Sequence, residues 1–112
     1  MTLNNPAYLD IVIYRGITLQ PIVITVTDSN SNPVNLTGWQ VAWGTNTFSG
    51  LASITNPSAG QITIQAGRSL TQSLPVGEKP WDAILLSNGG VAMGPFIYGV
   101  VTVKETLSPM FP

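Results

Sequence analysis

A chain of 112 residues with four basic and five acidic side chains, net charge −1, cannot line up the row of cations that phosphate binding needs, so nucleic acid is not an expected partner. Histidine and cysteine are both absent, which removes the commonest general base, the commonest metal ligands, disulfides and the usual partner of a nucleophilic serine. Charged residues make up 8% against 44% hydrophobic, where an ordinary soluble domain carries roughly a quarter charged, and surface buried in an assembly is the simplest reason for the shortfall.

The start, Met1-Thr2-Leu3-Asn4-Asn5-Pro6, has neither a basic opening nor an apolar stretch of leader length, and no apolar run approaches about 18 residues. Neither secretion by that route nor a membrane partner is expected. Leu9, Ile11 and Ile13 alternate with Tyr8, Asp10, Val12 and Tyr14, a first strand ending at the turn Arg15-Gly16. Ile22, Ile24 and Val26 alternate with Val23, Thr25 and Thr27 to give a second, with Pro21 at its start. Trp39, Val41 and Trp43 share one face of a third, and two tryptophans on one face point to the centre of the core. A weaker strand over residues 51–55 is closed by Asn56-Pro57-Ser58-Ala59-Gly60. Gln61-Ile62-Thr63-Ile64-Gln65 has the cleanest period of two in the chain.

Residues 69–75 fit one helical turn capped by Ser69 or Thr71 and ended by Pro75, its Leu70 and Leu74 plugging one end of the core. Residues 81–87 and 96–103 then pair as a hairpin around Asn88-Gly89-Gly90. The sum is an all-β, Ig-like antiparallel β-sandwich of about seven strands with at most one short helical turn. It forms a single domain over residues 1–112 with arms at 1–8 and 105–112, and its expected core is Ile22, Ile24, Trp39, Val41, Ile62, Ile64, Leu85 and Val101.

Four patterns invite chemistry and read more simply without it. Asp28-Ser29-Asn30-Ser31-Asn32 begins like a calcium loop, but Pro33 stands where the loop glycine belongs and Trp39 where the closing glutamate belongs, leaving a turn of short polar side chains bonding their own backbone. Asn35-Leu36-Thr37 matches a glycosylation acceptor that needs a secretory route. Glu78 and Asp82, four apart on a strand, stand about 13 Å from each other, too far for a retaining carboxylate pair. Trp39, Trp43 and Trp81 could stack on sugar rings, although tryptophans on an apolar strand face more often fill a core. Arg15 has Asp28 or Glu105 as a candidate ionic partner across strands.

The order and spacing of several phrases carry a resemblance over residues 14–103. They are Tyr14-Arg15-Gly16-Ile17-Thr18; Asp28 through Pro33-Val34-Asn35-Leu36-Thr37-Gly38-Trp39; Gly60-Gln61-Ile62-Thr63-Ile64; Leu70-Thr71 with Leu74-Pro75-Val76-Gly77; Trp81-Asp82-Ala83-Ile84-Leu85-Leu86; and Gly99-Val100-Val101-Thr102-Val103. Together they resemble a small β-sandwich family of tailed bacteriophages, found as standalone virion proteins or as the N-terminal domain of baseplate and receptor-binding-protein adaptors. The family usually has an acidic residue where Ile17 stands, and a more charged surface.

The resemblance implies a non-enzymatic structural component of a virion, made in the bacterial host cytoplasm and present as a homo-oligomer or in many copies beside other phage structural proteins. An accessory, decoration or connector role is favoured; a tail or baseplate adaptor domain and a carbohydrate- or cell-surface-binding module are the alternatives. No catalytic residue, cofactor or metal is expected. The apolar, proline-punctuated ends make Leu3, Pro6, Tyr8, Leu107, Met110 and Phe111 the candidate assembly contacts.

Overall fold

In the computed structural model of the chain, residues 3–106 are described. They form eight strands: β1 (Ala7–Tyr8), β2 (Ile11–Tyr14), β3 (Leu19–Thr25), β4 (Gln40–Gly44), β5 (Ala52–Asn56), β6 (Gln61–Ala66), β7 (Gly77–Leu86) and β8 (Ala92–Lys104). One sheet runs β1-β8-β7-β4, with β2 also on β8, and the other runs β3-β6-β5, which makes an all-β sandwich. The helical turn α1 (Arg68–Gln72) bridges β6 and β7.

The first strand expected from the alternation is two strands, and both run parallel to β8 rather than antiparallel to a neighbour. The break falls at Leu9-Asp10. There the Leu9 carbonyl lies so close to β8 that any side chain at position 99 would overlap it, which explains Gly99. The Asp10 carboxylate accepts the Val100 N–H at 3.2 Å, substituting a side-chain acceptor for a ladder carbonyl. Pro21 lies inside β3, on an edge strand whose pairing with β6 shifts between Leu19 and Ile22, and it does so without removing a bond from a central ladder.

The core is centred on Trp43, four residues beyond Trp39. Trp43 and Trp81 are buried and stacked, ring centroids 5.4 Å apart, with Phe48 against Trp43 at 5.7 Å. Ile62, Ile64, Leu85 and Val101 are buried as expected. Ile22, Ile24, Trp39 and Val41 are instead half-buried at the core's margin, because β3 and β4 are the edge strands of their sheets and the facing sheet covers only part of each. In α1 the roles also shift. Leu74 is buried and Leu70 is 41% exposed, while Thr71 is wholly buried and donates its hydroxyl to the Arg68 carbonyl; Gly67, not Ser69 or Thr71, occupies the N-cap.

The connector between β3 and β4 contributes more than a turn. Val34 and Leu36 are buried, and the Val34 carbonyl packs so tightly on Gly60, 2.7 Å from where a Cβ would sit, that the left-handed Gly60 (φ 71°) admits no side chain. The β7–β8 hairpin closes as expected, the Ser87 hydroxyl and carbonyl accepting the Val91 and Gly90 N–H groups.

Candidate interaction surface

Strand β7 ends in Ala83-Ile84-Leu85-Leu86, apolar at every position. Ala83 and Leu85 fill the core, so the strand's alternation forces Ile84 and Leu86 outward, each 38% exposed. Register then sets their neighbours: Gln40 and Ala92 lie beside Leu86, and Ala42 beside Ile84. These residues with Val41 line an uncharged groove of about 220 Å³ at one end of the sheet's outer face. Towards the middle of the same face, Gly44, Asp82, Tyr98 and Tyr8 form one row across four strands. Tyr8 meets Tyr98 edge to face at 5.2 Å. A wider, shallower depression of about 520 Å³ lies beside Tyr98, with Asp82, Asn46, Pro80 and Pro95 around it. Among the described residues, six of the eleven exposed large hydrophobic side chains belong to this face: Tyr8, Val12, Tyr14, Ile84, Leu86 and Tyr98.

The polar groups at the face's margin act on structure. The Asp10 carboxylate beside the Tyr8 hydroxyl holds that phenol above its ordinary pKa, with further negative charge at Glu78 acting in the same direction. Arg15 pairs with Glu105 at 2.9 Å and donates to the Gln72 carbonyl at 2.9 Å, tying the β2–β3 turn to the end of β8 and to α1; Asp28 takes no part. Asp28 instead accepts the N–H groups of Asn30 and Asn32 through one carboxylate oxygen, the geometry of an Asx-type turn. The Asn35 side chain likewise accepts from the backbone and hydroxyl of Thr37. No three acidic side chains among the described residues converge on a metal-sized site.

Of the candidate contact residues, Leu3 is half-buried, packs against the core and bridges to Asp28; Pro6 is exposed; and Tyr8 is exposed on the outer face. Leu107, Met110 and Phe111 lie outside the described residues. Alternation alone did not single out Ile84, Leu86 and Tyr98. The signal is the unbroken apolar run of residues 83–86, which puts apolar side chains on both faces of a strand whose alternation can bury only one.

No family model matches the chain, and no curated protein matches it either. Among solved structures, CopC from Methylosinus trichosporium OB3b aligns over 98% of each chain at 13% identity and a TM-score of 0.43. A nucleoside hydrolase-related hypothetical protein from Saccharophagus degradans, associated with carbohydrate metabolism, aligns over 90% of this chain and 22% of its own at 18% identity and a TM-score of 0.29. At such values neither likeness carries an argument about what this chain does.

Proposed function

We propose that this chain is a non-enzymatic structural component of a tailed-phage virion, an accessory, decoration or connector protein that works in many copies through apolar contacts with itself and with neighbouring structural proteins. The observation that supports this reading most is the outer face of the β7–β8 sheet, where six large apolar or aromatic side chains are exposed on a chain with only nine charges. Exposed apolar side chains concentrated on one face mark interaction sites. The phage-family phrases along residues 14–103 supply the setting. The sugar-stacking alternative loses its platform, because Trp43 and Trp81 are buried against each other and only Trp39 keeps part of its surface.

Mass-spectrometric copy number in purified particles of the encoding phage tests the proposal. Copies in the hundreds fit a capsid lattice and copies in tens or fewer fit a connector, tail or baseplate ring. Absence from the particle, with a glycan array that responds, would replace the proposal with the binding-module reading.

A further inference from the structure

We propose that the uncharged groove lined by Gln40, Val41, Ala42, Ile84, Leu86 and Ala92 receives residues 109–112, Pro-Met-Phe-Pro, of a second copy of this chain. The inference rests on the assembly reading above and names the occupant of its surface.

The chemistry of groove and segment agrees. The groove has no charged lining residue, so a charged occupant would be desolvated without a partner. Residues 106–112 have no charged side chain, and the segment can keep any terminal carboxylate at Pro112 in solvent beyond the groove. Pro109 and Pro112 bias the segment to an extended course and lack N–H groups that would need burying, Met110 adapts to an irregular surface, and Phe111 supplies the largest apolar area. The Gln40 amide at the rim can bond a backbone group of the incoming segment.

Distance decides that the segment comes from another copy. Along β7, Gly77 lies opposite Val103 and the groove spans Ile84 to Leu86, so seven to nine residue steps, about 23–30 Å, separate the Val103 end of β8 from the groove. The chain is held at the far end by Thr106, whose hydroxyl donates to the Arg15 carbonyl. Phe111, five residues on, reaches at most about 17 Å from there. The groove is out of reach in cis, on a body whose long axis is 48 Å. The N-terminal segment is no rival occupant, since Leu3 bridges to Asp28 and β1 pairs with β8 of its own sandwich. Such a contact closes a two-fold dimer when two antiparallel copies exchange segments, and builds a ring or filament when each copy passes its segment to the next.

Two variants of the full chain test this. Ile84→Asp spoils the groove and keeps the segment; Phe111→Ser spoils the segment and keeps the groove. Each alone should sediment as a monomer under conditions where the wild type associates, and an equimolar mixture should form a one-to-one dimer and go no further. A synthetic peptide of residues 106–112 added to ¹⁵N-labelled Phe111→Ser chain should shift the amides of Ala42, Ile84, Leu86 and Ala92, and bind Ile84→Asp roughly tenfold or more weakly. Peptide shifts elsewhere or nowhere, or a wild-type association indifferent to Phe111→Ser, overturns the inference. If the wild type still enters particles in that case, the assembly reading stands without it; if the wild type has no affinity for particles, the assembly reading fails separately.

Discussion

Towards its closed end the β7–β8 hairpin is apolar on both faces, and the two faces meet different fates. Inward, Trp81, Ala83, Leu85, Ile97 and Val101 lie against the second sheet and Trp43, all buried. Outward, Ile84, Leu86 and Tyr98 are as apolar and stand 38–44% exposed. Within that stretch composition does not distinguish a buried face from an exposed one. What distinguishes them is whether the chain itself supplies a covering layer, and β3-β6-β5 covers one side only. The inner face is a matter of stability and, on the proposed function, the outer face one of partners, so substitutions on the two faces should have opposite signatures.

Trp43→Ala should be the most damaging, about 3–5 kcal/mol in chemical denaturation, because it empties the centre of the stack with Trp81 and Phe48. Trp39→Ala, at the half-buried margin, should cost clearly less. Equal losses would mean that the core is not centred on Trp43. Gly99→Ala should follow at about 2–3 kcal/mol, since the new methyl overlaps the Leu9 carbonyl and pushes β1 and β2 from β8; a melt within a degree of wild type would show that the N-terminal strands do not pack there.

Asp10→Ala should cost about 1 kcal/mol through the lost acceptor for the Val100 N–H. The same carboxylate raises the Tyr8 phenol pKa, so ultraviolet titration should find Tyr8 ionising above the ordinary tyrosine range and Asp10→Asn should bring it down. A raised folded-state pKa favours the neutral phenol. Its small stabilisation therefore holds below the unfolded value and is lost as pH climbs through the folded one.

On the outer face the sign of the comparison reverses. Ile84→Ser should leave unfolding within about 0.5 kcal/mol of wild type while reducing incorporation into particles. A large stability loss with incorporation intact would make Ile84 part of the fold rather than of a contact. Smallest of all, adding calcium or chelator should leave the melting temperature unchanged, because the carboxylate oxygen of Asp28 that a cation would claim already accepts two backbone N–H groups; a rise of several degrees with calcium would reveal native-state binding.

The period of two in residues 61–65, the β-branched run at 22–26 and the Asn88-Gly89-Gly90 turn were enough to read an all-β sandwich from the sequence, because each depends on residues close in the chain. The same local pattern put Ile62, Ile64, Leu85 and Val101 inside. It put Trp39 in the expected core and not Trp43, although both point to one face, and only sheet order makes β4 an edge strand whose covered part is at Trp43. Nor could it reveal why Gly99 and Gly60 are glycines, when the atoms that exclude a side chain, the Leu9 and Val34 carbonyls, are distant in sequence. The outer face was half legible. Residues 83–86 announced a strand apolar on both sides, but their neighbours Ala42, Gln40 and Ala92 come from cross-strand register, which long-range pairing alone decides.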